Sequence, residues 1–191
     1  RECVPTELLN DTAIWRALLT SGKGMPVTAM VRNLGKMTSI GLLTEGSDET
    51  RYVMRKLGGE ELQKSRIRPM QILLALSTYR SGHGFKGSLS WNTVRKLVDA
   101  LDEAFYRSFK NVVPTGKRYN LALDVSGSMH GGSVAGTMLT PAQAAVAMAL
   151  VTMNVERDVS LFGFGTRYAA LPISKTDRLD RAVAKITNMN F

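Results

Sequence analysis

The chain has 191 residues, room for one large domain or two small ones, and carries 25 Lys and Arg against 16 Asp and Glu, a net charge of +9 that points to an anionic partner. Its single cysteine, Cys3, excludes an intrachain disulfide framework and suits a reducing compartment such as the cytosol. No apolar run approaches the roughly 20 residues a membrane helix needs, and Arg1-Glu2-Cys3 does not resemble a signal peptide, so a cytoplasmic protein without membrane contact is expected.

The charge is uneven. Residues 1–120 hold 19 basic and 11 acidic side chains, net +8, whereas residues 121–191 hold 6 and 5, net +1, which places the expected anion-binding surface in the first part. The chain begins without Met and stops at Phe191 just after a helical stretch, so it reads as a piece of something longer.

Up to about residue 110 every strong period is helical. Ile14, Trp15, Leu18 and Leu19 form a stripe that Gly22 and Gly24 close. Met25 to Lys36 carries Val27, Met30, Val31 and Leu34 at i, i+3, i+4 and i+7, with Pro26 near the first helical position and Arg32 and Lys36 on the polar side. Ser47 is placed to cap a helix bearing Val53, Met54 and Leu57 that ends at Gly58-Gly59, and Pro69 opens another with Ile72, Leu73 and Leu76 facing one way. Trp91 to Lys110 is the longest expected helix, with Val94, Leu97, Val98, Leu101, Phe105 and Phe109 in register. Helices of this length joined by Gly-containing turns predict a HEAT-like helical-repeat array or bundle over residues 1–112.

Between the last two helices, Tyr79-Arg80-Ser81-Gly82-His83-Gly84-Phe85-Lys86-Gly87 alternates basic and aromatic side chains with glycines. Arg80 and Lys86 suit phosphates, while His83 and Phe85 offer faces on which unpaired bases stack. The competing reading is a helix connection whose Phe85 plugs the core and whose charges are solvated, and composition by itself favours that reading. Arg51, Arg55, Lys56, Lys64, Arg66 and Arg68 are equally readable as the wet face of helices.

At Val113-Pro114-Thr115-Gly116 the period changes. Tyr119 to Val125 is a short apolar run, Thr140-Pro141 starts an Ala-rich helix to about Met153, and Val159 to Phe164 is a second apolar run. Strand, helix, strand is a βαβ unit, hence a parallel sheet with a right-handed crossover. A third strand near Ala169 to Ile173 and a helix near Asp177 to Ile186 continue the pattern, giving residues 113–191 the outline of a partial Rossmann-like α/β domain.

Directly after the first strand stands Asp124-Val125-Ser126-Gly127-Ser128, where open α/β sheets place their ligands. One carboxylate and two hydroxyls suit a hard divalent cation, Mg²⁺ above all, with water or a partner's carboxylate completing an octahedron. Gly127 is expected to let the backbone turn tightly enough to bring both hydroxyls to one side. The plainer reading has Asp124, Ser126 and Ser128 merely satisfying a turn. A hydrolase with Ser126 or Ser128 as nucleophile and His130 as base lacks the first glycine of a nucleophile elbow, whose position Asp124 occupies. No Cys/His metal cluster, P-loop or dinucleotide glycine fingerprint is present.

Taken in order, Met25 through Met37, Tyr79 through Lys86, Pro114 through Arg118 and Leu121 through Met129 resemble the Ro autoantigen family of TROVE-module ribonucleoproteins. The resemblance implies a ring of HEAT-like repeats closed by a von Willebrand A-type domain. It implies that the ring binds small noncoding Y-type RNAs outside and single-stranded RNA ends in its hole, with an exoribonuclease as a working partner in RNA quality control. It also implies a metal ion-dependent adhesion site whose first loop matches Asp124, Ser126 and Ser128. The family's earlier repeats and its later Thr and Asp metal loops are expected to lie before Arg1 and after Phe191. The reading that follows is a non-enzymatic RNA-binding scaffold, with RNA contacts at Arg32, Lys36, Arg80, His83 and Lys86. Its rival is a metal-dependent protein-interaction module with a helical adaptor, which gives no reason for positive charge to collect on the helical part.

Overall fold

In the computed structural model, which describes residues 5–189, the chain forms two compact units, Arg1–Asn111 and Val112–Phe191. Cys3 lies outside the described residues.

The first unit is helical: α1 (Thr12–Thr20), α2 (Val27–Ser39), α3 (Asp48–Gly58), the short α4 (Glu60–Lys64), α5 (Pro69–Ser81) and α6 (Arg95–Arg107). Asp11 caps α1 by accepting the Ala13 and Ile14 N–H groups at 2.7 and 3.4 Å, satisfying orphan donors of the first turn. Trp15 and Leu19 are buried, but Leu18, expected on the same stripe, is 41% exposed. Gly22 and Gly24, with φ of +58° and +65°, take the chain out of α1 through backbone conformations that L side chains rarely adopt. In α2 the expected stripe is buried and continues to Met37, about one turn beyond Leu34 and one residue past the expected end at Lys36. Ser47 caps α3 by accepting the Thr50 N–H at 3.2 Å.

Helices α3 and α5 pack on α6, and α2 packs on α5, around a core that includes Val53, Leu57, Ile72, Leu97, Leu101 and Phe105. Each such side chain contributes about 1.5–3 kcal/mol by leaving water. Tyr79, 2% exposed, ties three segments together: its hydroxyl lies 3.0 Å from Thr38 Oγ1 of α2 and accepts the Val94 N–H at 3.2 Å. Burial pushes the Tyr79 phenol above its ordinary pKa.

The long helix expected from Trp91 starts instead at Arg95. Trp91 donates its backbone N–H to Gly82 O (2.8 Å) and its indole N–H to Tyr79 O (3.0 Å), so residues 82–91 close on themselves with a single antiparallel bridge, His83 to Ser90. Those bonds hold Trp91 outside helical geometry. At the other end the chain tightens into a 3-10 turn, Ser108–Asn111, short of the expected continuous helix.

The second unit contains β1 (Arg118–Asp124), α7 (Pro141–Val155), β2 (Asp158–Phe164), β3 (Tyr168–Ala170) and α8 (Leu179–Thr187). Strands β1 and β2 pair in parallel from Arg118↔Asp158 to Asp124↔Phe164, with α7 as the crossover element. Thr140 and Gln143 cap α7 reciprocally: Gln143 N–H donates to Thr140 Oγ1, and Thr140 N–H to Gln143 Oε1. The third strand departs from expectation. It pairs antiparallel with β2, because residues 165–167 are all that join them and a parallel return needs a dozen residues or more. The sheet is therefore mixed, in the order β1-β2-β3. Val146, Leu150, Leu161, Ala182 and Ile186 are buried in this unit. Among the described residues no helix is long and apolar enough to cross a membrane.

Candidate functional site

Asp124 is the last residue of β1, and the chain turns directly into a short 3-10 segment, Gly127–His130. The Ser126 N–H donates to Asp124 Oδ1 at 2.9 Å, and the Ser126 and Ser128 hydroxyls lie 3.0 Å apart. Hydrogen bonds from the Ser126 side chain and backbone hold the Asp124 carboxyl below the usual carboxylate range. An octahedral cation with ligands at about 2.0–2.1 Å sets neighbouring ligand oxygens about 3 Å apart, which is the spacing of the two hydroxyls. The donor set thus fits a hard divalent cation, although it offers one carboxylate, and the same bonds would satisfy a turn. Among the described residues no cluster of three or more His, Cys, Asp and Glu could hold a metal.

One expectation about this loop changes, and the hydrolase reading already disfavoured by the missing first glycine gains nothing. Gly127 does not adopt a positive φ, and a Cβ there would meet nothing within 4 Å, so the turn places no demand for glycine. His130 Nδ1 lies 3.5 Å from Thr187 Oγ1, while the two serine hydroxyls pair with each other. A nucleophile–base hydrogen bond is therefore not formed among these described residues.

The basic residues separate into groups. Arg32 and Lys36, one turn apart on α2, line a groove shared with α5 and the 82–91 loop, and Lys36 Nζ also donates to Asn10 Oδ1. Arg80, His83 and Lys86 are exposed at the end of α5 and in the loop but are not part of the groove wall. His83 Nδ1 lies 3.1 Å from Gly84 O. Phe85 is 42% exposed, so it does not plug the core.

Of the helix-face cations, Arg51 pairs with Asp48 and Lys64 with Glu60. Lys56 is no wet-face residue at all. It is 9% exposed, donates to Met25 O at 3.2 Å and lies 5.1 Å from the Tyr52 ring centroid.

Trp91, Asn33 and Gln71 also line the groove, and sequence reasoning missed them. Trp91 reads in the sequence as the start of a helical stripe, and the grouping of the three depends on contacts between separate elements. Glu156, 5% exposed, was missed as well. Its carboxylate accepts the Thr115 N–H (2.7 Å), the Thr115 hydroxyl (2.9 Å) and the Gly116 N–H (3.1 Å), which hold its pKa down. It fastens Thr115 and Gly116 of the Pro114–Arg118 motif to the end of α7.

The TROVE domain family model matches residues 1–78, and the Ro60 vWA domain model matches residues 118–191. Over its whole length the chain is 41% identical to RNA-binding protein RO60 of Caenorhabditis elegans and 38% identical to the protein of that name from Deinococcus radiodurans, covering 29% and 36% of those relatives. The crystal structure of the Deinococcus radiodurans RO (RSR) protein superposes with a TM-score of 0.89 at 38% identity, over 97% of this chain and 37% of that one. The chain spans about a third of the length of the relatives it matches. With a TROVE match before the composition change, a Ro60 vWA match after it, and identity continuous across both, the chain belongs to the Ro family.

Proposed function

We propose that this chain is a non-enzymatic, RNA-binding segment of a cytoplasmic Ro ribonucleoprotein. Its RNAs are small noncoding RNAs of the Y type and the single-stranded ends of misfolded RNAs, held for quality control or turnover with an exoribonuclease as partner. The observation that carries this reading is the 41% and 38% identity, along the entire chain, to two relatives named RNA-binding proteins. Exposed Arg32, Arg80, His83 and Lys86, together with Lys36, supply the cations and the imidazole that phosphates and bases require. Asp124, Ser126 and Ser128 hold a divalent cation, Mg²⁺ by the hardness of their oxygens, that takes a carboxylate from a protein ligand.

The test is a binding titration with a single-stranded oligoribonucleotide at several salt concentrations. Phosphate contacts release counterions, so log affinity should fall linearly with log salt, by about 0.7 for each phosphate neutralised. A flat response, or affinity no greater than that for a polyanion such as heparin, overturns the reading.

A further inference from the structure

The groove between α2, α5 and the 82–91 loop encloses about 490 Å³, within the roughly 300–1,000 Å³ of small-ligand pockets. Its floor is apolar, with Val31 from α2 and Leu74 and Ala75 from α5. One wall is the Trp91 indole, fixed from three directions. Its N–H donates to Tyr79 O at 3.0 Å, its own backbone N–H is bound by Gly82 O, and its ring edge lies against Gly35, where a Cβ would come within 2.6 Å. The aromatic surface is thus set in place before any ligand arrives, which lowers the entropy cost of binding.

Two amides border this slot with spare hydrogen-bonding capacity. Gln71 Oε1 accepts the Arg68 N–H at 3.1 Å, leaving the Gln71 amide nitrogen to donate. Asn33 Nδ2 donates to Ala29 O at 2.8 Å, leaving its oxygen to accept. Arg32 and Lys36 add two positive charges, and the wall contains no carboxylate. A ligand that complements all of this has a flat apolar ring with donors and acceptors on its edge and an anion attached. An apolar peptide or helix would leave both cations and both amides unanswered.

We propose that this groove binds one unpaired RNA nucleotide, with its base against the Trp91 indole, its edge read by Gln71 and Asn33, and its phosphate held by Arg32 and Lys36. The proposal rests on the RNA-binding reading above and adds the subsite, the stacking partner and the edge contacts.

The chain's two tryptophans provide the readout. Trp15 is 2% exposed, whereas Trp91 borders the groove, so fluorescence quenching on RNA addition reports on Trp91. The experiment titrates a ten-nucleotide single-stranded RNA into the chain, following tryptophan fluorescence and, separately, anisotropy of end-labelled RNA. Saturable quenching is expected in the wild type and in Trp15→Phe and should vanish in Trp91→Phe. Ala75→Phe, which fills the slot from α5 and leaves Trp91 in place, should also remove the quenching. It should weaken binding about tenfold, the order of one lost stacking contact. Melting curves establish that each variant folds; if Trp91→Phe does not, Ala75→Phe decides. RNA that binds Ala75→Phe with wild-type affinity and quenching overturns the groove proposal but leaves RNA binding intact. Absence of RNA binding in the wild type overturns both.

Discussion

Gly35 lies inside α2, where alanine would be the better helix former by about 0.5–1 kcal/mol. A methyl group there would come within 2.6–2.9 Å of three Trp91 ring atoms, and overpacking of this kind costs about 1–3 kcal/mol. The clash outweighs the propensity, so Gly35→Ala should lower the melting temperature by several degrees by circular dichroism; a rise would mean that the indole moves aside freely. Glu156 makes a different commitment, because three donors converge on its carboxylate and depress its pKa below 4.5, the Thr115 N–H contributing most. A depressed carboxylate stabilises the fold above its unfolded pKa, and that stability disappears as pH falls through the lower folded value. Melting temperature should therefore fall as pH drops below the ordinary glutamate value, toward the lower value that the fold imposes. Glu156→Gln should melt lower at neutral pH, since its NH₂ faces donors, and should show a shallower acid dependence. Wild-type melting of this variant at every pH would rule out the carboxylate as the anchor of Thr115 and Gly116.

Local chemistry explains which elements were legible in the sequence. Helices α2, α3, α5 and α7 carry their own stripes, caps or opening prolines, and each forms where the spacing predicts. The start of α6 was not legible, because the bonds from Trp91 to Gly82 and Tyr79 that hold it off the helix join residues nine and twelve apart. Strand β3 is legible as a member of the sheet but not in its direction, because the helix-strand alternation before it suggests a parallel strand whereas its three-residue connection to β2 makes it antiparallel. The Asp124–Ser128 loop was legible as a cluster, since its three oxygens are two residues apart in sequence, whereas the groove draws on three elements and has no signature in any of them. The loop's oxygen count yields a prediction. Three oxygens with one formal charge fall short of the about six that Mg²⁺ demands, so calorimetry should find weak Mg²⁺ binding to this chain, abolished in Asp124→Ala and only reduced in Ser126→Ala. Tight binding that survives Asp124→Ala would place the cation elsewhere.

Across the whole molecule, the charge split is milder than a cut at residue 120 suggests. Counted by compact unit, residues 1–111 hold 17 basic and 11 acidic side chains and residues 112–191 hold 8 and 5, because Lys117 and Arg118 belong with the second. Net charge alone therefore does not say which unit would meet RNA under the proposed function; the arrangement of individual side chains must. Arg32 and Lys36 share a groove with an aromatic wall, and Arg80 and Lys86 lie exposed in the neighbouring segment. Lys117, Arg157 and Arg167 are exposed on the second unit and line none of that groove. If charge acted only as a diffuse field, neutralising either set would weaken RNA binding in proportion to the charges removed. If phosphates are held at specific places, each contact carries its own share of the salt dependence, about 0.7 in log–log slope for a single strand. Replacing Arg32, Lys36, Arg80 and Lys86 together with Ala should thus reduce the slope by up to about 3, the sum of four contacts. The Lys117, Arg157 and Arg167 triple variant should leave the slope unchanged. Neither set should unfold the chain, since surface substitutions usually shift stability by no more than about 0.5 kcal/mol each and the half-buried Lys36 side chain bonds, among the described residues, only that of Asn10. Equal losses of slope per charge in the two variants would favour the diffuse field, and a loss confined to the second set would move the RNA surface to the sheet-containing unit.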